Sequence, residues 1–299
     1  MDIYFGTQVT ADKVTQEAHF EKVLGSERTL VISSALKKSD VRLGDFLRDA
    51  HSFVFILGDS FLLSWAREVC GMRMIVLGSS VDPAKLLQSD LFLIARQVAQ
   101  THGCQLMQWA VLREDFETRS LNIPSGFFTT NLVFEKTLTK EGSTESFVES
   151  LWQPTEFGSE VFQTNAADTE YWVRWTYPGS TFAPLDTIPA LRAEYAYFPE
   201  LEKGGAAAGI CLRGHPSQAY VVWIQNRVTE TALIAMIWIH SELRMKISGF
   251  EILSQATRCL KGRGFKTVRY FVSAQNISAM KMLSRAGFQM TRYVINAYV

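Results

Sequence analysis

Gly264-Phe-Lys-Thr-Val-Arg-Tyr-Phe-Val-Ser-Ala-Gln-Asn276 is the stretch on which the fold turns. Its leading glycine ends a helix-like run, and the β-branched and aromatic residues after it read as a half-buried strand. A counterpart stands upstream, Gly103-Cys-Gln-Leu-Met-Gln-Trp-Ala-Val111. Gly103 pairs with Gly264, Trp109 with Tyr270, Val111 with Val272, Gly126 and Phe127 with Gly287 and Phe288, Thr130 with Thr291, and Val133 with Val294, always 161 residues apart. Leu93 to Leu138 therefore aligns with Ser254 to Val299 without insertion or deletion, the signature of an internal repeat.

Working outward, each copy has the same grammar. Leu91, Ile94, Ala95 and Val98 fall on one face of a helix that His102 and Gly103 stop; Gln105 to Val111 and Thr130 to Phe134 read as strands. The second copy reads as a helix over Gly249–Arg263, a strand over Lys266–Ser273, a helix over Ser278–Ala286 and a strand over Gln289–Tyr298. Strand-like runs precede both, at 52–57, 61–65 and 72–77 and again at 208–212, 219–224 and 231–239. Helices and strands alternate, so the fold class is α/β (α+β): tandem duplicated domains, each a mixed central sheet flanked by helices. Apolar residues vanish and turn formers cluster from Leu138 to Ser146, which sets the domains at 1–140 and 141–299.

Composition excludes several classes. With 299 residues, 47% hydrophobic and 20% charged, the chain can bury one large core or two smaller ones, and it is neither disordered nor a short secreted scaffold. Four cysteines (Cys70, Cys104, Cys211, Cys259) without C-x-x-C spacing, and five scattered histidines, point to no metal and no disulfide framework. No signal peptide is expected from Met1-Asp-Ile-Tyr-Phe-Gly6, and the longest apolar run, Thr231 to Ile239, is far short of the roughly 20 residues of a spanning helix. A cytoplasmic protein without a membrane partner is the expectation. No nucleophile elbow, phosphate loop, zinc-protease helix or dinucleotide fingerprint is present.

The second half carries a resemblance. Ile239-His-Ser-Glu-Leu-Arg-Met-Lys-Ile-Ser-Gly249 places a strand, an Arg-led turn and a helix in succession, and Asn276, Ala279, Gly287 and Phe288 keep the spacing Asn-x-x-Ala followed by Gly-Phe. This order resembles the acyl-CoA-binding motifs of the GNAT (GCN5-related N-acetyltransferase) superfamily, over about Thr176 to Val299 and more faintly over Phe53 to Phe134. The segment Thr176 to Arg192 is similar to one that tandem members carry between their first strand and first helices. The resemblance implies tandem GNAT-like domains with acetyl-CoA or another acyl-CoA as co-substrate. It implies cofactor contacts from Ile237, Trp238, Ile239, Arg244, Met245, Lys246, Ile247, Ser248, Gly249, Asn276 and Ala279. The sequence departs from the family pattern twice: Ile247 stands where a middle glycine is usual, and Leu283 stands where a tyrosine commonly acts as general acid. At the 161-residue offset the first half has Pro83 opposite Arg244 and Asn122 opposite Leu283. Its cofactor loop is therefore expected to be degenerate and the half structural or substrate-shaping.

Elementary chemistry agrees at the loop, because a helix N-terminus presents unpaired N–H groups that suit a pyrophosphate. His240 and Glu242 sit where a base would deprotonate an acceptor amine; a solvated strand end and a helix-entry charge are their alternative readings. Tyr293 and Tyr298 are candidate substitute acids, or packing residues. The net charge of zero resolves into +8 over His240–Val299, from ten Lys and Arg against two acids, and −9 over Glu141–Glu202, from two arginines against eleven acids. The first suits an anionic co-substrate and the second a cationic acceptor. The reading is an acyl-CoA-dependent acyltransferase that N-acetylates a small amine by direct transfer in the second half. The alternative is a catalytically inactive GNAT-fold binding or regulatory protein. Nucleic acid is a poorer fit, for want of an aromatic and basic platform, and a homodimer is left open.

Overall fold

The computed structural model describes residues 2–5, 43–48, 52–57, 60–69, 72–79, 90–114, 127–138, 151–154, 203–227 and 229–299, with a few positions between 21 and 33. It forms two compact units. The first holds residues 1–129 and 293–299, and the second holds residues 130–292.

In the first unit β1 (Asp2–Phe5), β2 (Phe53–Leu57), β3 (Ser60–Val69) and β4 (Met72–Ser79) pair antiparallel in sequence order. The chain then crosses through helix α2 (Asp90–Thr101), the second helix after α1 (Leu43–Arg48), to β5 (Leu106–Leu112), which lies parallel to β4. Helix α2 ends as its sequence predicts: Gly103 adopts φ +64 and the Cys104 N–H reaches back to Ala99 O at 2.9 Å. Ala95 and Ala99 of its apolar stripe pack with Phe53, Leu62, Ile75, Leu77, Met107, Trp109 and Val111.

The second unit repeats this plan. Strands β7 (Trp152–Pro154), β8 (Ala207–Leu212), β9 (Ala219–Asn226) and β10 (Thr231–Ile239) are antiparallel neighbours. Helix α3 (Gly249–Gly262) then crosses to β11 (Thr267–Ser273), parallel to β10, and helix α4 (Ile277–Arg285) leads on to β12 (Gln289–Tyr298). Ser248 caps α3 by accepting the Glu251 N–H at 3.1 Å, and Ile252, Leu253, Ala256 and Leu260 form its buried stripe. Each of the three larger side chains contributes about 1.5–3 kcal/mol by leaving water. Gly264, at φ +85, ends α3 with the Phe265 N–H on Leu260 O at 3.2 Å, the same device as at Gly103.

The compact units divide the chain differently from a cut at 140. Strand β6 (Phe127–Thr137) pairs antiparallel with β11 from Thr267 opposite Thr137 to Ser273 opposite Asn131, so from Thr130 on it completes the second unit. The end of β12 completes the first: the Val299 N–H bonds Gln105 O at 3.3 Å, Gln108 Nε2 donates to Asn296 Oδ1 at 3.3 Å, and Ile295 joins the first core. Each sheet is finished by a strand from the opposite repeat. On the second sheet Glu135 accepts from Arg269 Nε at 2.9 Å and stands 3.5 Å from Arg292.

The repeat offset also changes within the copies. Both parallel pairs have four matched residues, Met74–Leu77 against Leu106–Trp109 and Thr231–Ile234 against Thr267–Tyr270. The incoming strands are thus 157 apart (231 − 74) and the outgoing ones 161 apart (267 − 106), so four more residues separate the paired strands in the second half, where both the incoming strand and the crossover helix are longer. Pro83 and Asn122 lie outside the described residues, as do the 138–146 boundary beyond Leu138, the 176–192 segment, Cys70 and nearly all of the acidic stretch from Glu141 to Glu202. No described helix is long and apolar enough to cross a membrane.

Candidate functional site

The site is built where β10 and β11 part. Their pairing ends at Ile234 opposite Tyr270, and directly after Ile234 a bulge at Ala235 shifts the register of β10 on β9, so that Met236 lies opposite Val222. A bulge bends its strand and increases its twist. Met236 to Ile239 therefore continue beside β9 while their other edge has left β11.

The two faces of this end follow from register. Trp223, with the Arg263 guanidinium 5.5 Å from its ring at the end of α3, marks the helix-covered face, and Ile234 opposes it. The bulge puts Met236 on the other face, where Tyr220 Oη lies 3.4 Å from its sulfur, and Trp238 opposes Tyr220 there. Backbone direction alternates likewise. The His240 N–H bonds Gln218 O on the β9 side at 2.7 Å, so Ile237 and Ile239 turn their N–H and C=O groups to the open edge. That edge is able to take an extended, amide-bearing ligand as a strand would.

The loop from His240 to Ser248 is a compact turn. Ser241–Leu243 form a single 3-10 turn, and the N–H groups of Lys246 and Ile247 both reach Leu243 O at 2.8 Å. At the start of α3 the Glu251 N–H is engaged by Ser248, while those of Ser248, Gly249 and Phe250 have no partner among the described residues. These are the donors that a phosphate would meet at the positive end of the helix. Arg244, Met245 and Lys246 are exposed beside them, Met245 to 95%. Ile247 is half-buried.

Several expected site residues have a structural occupation. Gly249 lies against α4, where an added Cβ would stand 2.7 Å from Met282 Sδ, so this glycine lets the two helices approach. Asn276 caps α4, its Oδ1 accepting the Ala279 N–H at 3.0 Å, which gives Asn276 a structural role. Leu283 is wholly buried, the sole buried residue of α4, and is a packing residue with no proton to offer. Lys136 of β6 donates to Ala286 O at 2.6 Å, a cation at the negative end of α4; burial holds its pKa below the ordinary lysine value.

Arg244 folds back on the end of β10. Its Nε donates to Ile239 O at 3.0 Å and its guanidinium carbon lies 5.6 Å from the Trp238 ring centre. His240 is half-buried with Nδ1 unpartnered, and Glu242 is exposed in the 3-10 turn that follows it. Tyr293 and Tyr298 belong to the first unit. Tyr293 packs on the first core, and the Tyr298 ring lies 5.1 Å from that of Phe128.

Tyr270 escaped the sequence reading. It closes the parallel pairing at the base of the fork, and burial pushes its hydroxyl up to about 12. Its alignment with Trp109 marked it as a repeated strand position but carried no sign that the strands part there. Among the described residues no three His, Cys, Asp or Glu side chains come together as metal ligands.

No protein-family model and no curated protein matches the sequence. The chain is similar in structure to a GCN5-related N-acetyltransferase from Sphaerobacter thermophilus, with 14% identity, 90% of each chain covered and a TM-score of 0.55. It is also similar to an acetyltransferase of the GNAT family from Colwellia psychrerythraea, with 16% identity, 100% of this chain and 99% of that chain covered, and a TM-score of 0.53. At such identities the likeness is one of fold.

Proposed function

Starting from a chain whose fold is that of the GCN5-related N-acetyltransferases, we propose that it is an acyl-CoA-dependent acyltransferase whose second unit N-acetylates a small amine by direct transfer. The observation that carries this reading is the fork: the Ala235 bulge frees one edge of β10, and that edge runs toward the unengaged N–H groups at the start of α3. The donor set fits an acyl-CoA. Ile237 and Ile239 offer backbone groups to its amide-bearing arm, and the N–H groups of Ser248, Gly249 and Phe250 offer donors to its phosphates. Arg244, Lys246, Lys281 and Arg285 are exposed cations that draw an anion to this end of the unit. When bound, acyl-CoA supplies an activated thioester carbonyl.

The chain's own residues then bind, orient and move a proton. His240, at the end of β10, is the residue assigned to take a proton from the acceptor. Leu283 excludes water from the packing beneath α4 and assigns no general acid to that position. Ile247 narrows the turn where the family usually has a glycine, which favours a modest affinity.

The replacement of the family's tyrosine by buried Leu283 is the one observation that favours an inactive, ligand-binding protein instead. Calorimetric titration with acetyl-CoA, paired with thiol release in the presence of a panel of amines, separates the two readings. Binding with thiol release is the expected outcome. Binding without release by any acceptor supports the binding or regulatory protein, and no binding at millimolar concentration overturns the acyltransferase.

A further inference from the structure

The last residues of β10 hold two polar atoms that the fold leaves without partners. Trp238 is 8% exposed and its Nε1–H is buried without an acceptor. His240 Nδ1 is likewise buried and unpartnered. His240 has extended backbone, φ −57 and ψ 144, so the two side chains lie on the same face about 7 Å apart along the strand. A buried donor without an acceptor is destabilising, and a fold that keeps one beside a second unpartnered atom holds them for something that brings both halves of the pairing. Trp152 and Trp223 also have unpartnered indole N–H groups, but they are 1% and 0% exposed in closed core. Trp238 differs because an exposed guanidinium, that of Arg244, lies 5.6 Å from its ring centre, tethered through Nε to Ile239 O.

We propose that Trp238 Nε1–H and His240 Nδ1 line a polar cleft for the acceptor's reacting group, and that Arg244 is the strap across it. The occupant both gives and takes a hydrogen bond, as a neutral amine or a hydroxyl does. Arg244 faces two competing claims: the indole ring and a strand-end carbonyl where it now lies, or an anion at the α3 N-terminus five residues on. Charge-assisted contacts to a phosphate are stronger than a neutral hydrogen bond and an exposed ring contact, so arrival of the donor's phosphates draws the guanidinium off Trp238 and opens the cleft. The proposal rests on reading the fork as an acyl-CoA site, but the strap is testable without that reading.

The test is acrylamide quenching of indole fluorescence in the full chain, with Trp238→Phe used to isolate Trp238 from the other six tryptophans. Arg244→Ala, at an exposed position, is expected to raise the quenching constant of Trp238 about threefold, since the guanidinium beside its ring is gone. Saturating CoA should produce a similar rise in the wild type and none in Arg244→Ala. Far-UV circular dichroism and melting temperature check that both variants remain folded. Unchanged quenching in Arg244→Ala overturns the strap, and so does calorimetrically proven CoA binding that leaves Trp238 as protected as before. If Arg244→Ala exposes Trp238 but CoA fails to bind, the strap stands and the acyl-CoA reading falls.

Discussion

Ile234 and Tyr270 form the last of four parallel pairs between β10 and β11, and Ala235, the next residue of β10, is the bulge at which the strands separate. Because a bulge sets two residues against one, deleting Ala235 leaves Met236 opposite Val222 and every side chain on its present face, but removes the bend. The deletion variant should therefore fold, with a melting temperature within a few degrees of the parent, and should lose acetyl-CoA binding in calorimetry. Retained binding would show that the fork does not depend on the bulge.

Tyr270 should ionise above the ordinary tyrosine range. Burial raises its pKa from the ordinary value of 10.0 to about 12. Between these values the unfolded chain has lost the proton and the folded chain keeps it, so stability is intact below about pH 10 and declines as pH rises through the window to about 12. Absorbance titration near 295 nm should show a late component that Tyr270→Phe removes, and that variant should lose less stability over the same range.

Leu283 is a core residue, so placing a tyrosine there should not create an acid. Leu283→Tyr is expected to destabilise by about 1–3 kcal/mol through overpacking, and Leu283→Ala by about 2–5 kcal/mol through a cavity. Urea unfolding gives both values. A stable Leu283→Tyr protein with faster thiol release would overturn this assignment.

Gly249 and Met282 should be energetically coupled. In Gly249→Ala the new methyl meets the flexible end of Met282, 2.7 Å away, while alanine's better helix propensity offsets part of the strain. A double-mutant cycle with Met282→Ala should give a coupling of about 0.5–1 kcal/mol. Zero coupling, together with a tenfold loss of acetyl-CoA affinity in Gly249→Ala alone, would return Gly249 to a purely ligand-binding role.

Ile295, 3% exposed, is the end of the chain's contribution to the first core. Ile295→Ala should cost about 2–5 kcal/mol, and amide exchange in β5 should accelerate. Unchanged protection in β5 would contradict the assignment of residues 293–299 to the first unit.

The second half was largely legible. The helices over Gly249–Gly262 and Ile277–Arg285 and the strands on either side lie within a residue or two of where glycine stops, caps and apolar periodicity place them. Ser248 and Asn276 cap their helices through contacts three residues long, which is why such signals survive in a bare sequence. The roles of Arg244 and Gly249 were less legible, since one depends on Trp238 and Ile239 O and the other on Met282, partners that spacing does not reveal.

By itself the sequence determined the α/β alternation, the repeat and the helix ends, because propensity, capping and the positive φ of Gly103 and Gly264 are local properties. Tertiary structure alone decided that β6 completes one unit and the end of β12 the other, that the incoming paired strands are 157 apart while the outgoing ones keep 161, and that β10 leaves β11 after Ile234. Repeated strands of equal pattern satisfy either sheet edge, and only the summed burial and hydrogen bonding of residues far apart in the chain selects between them.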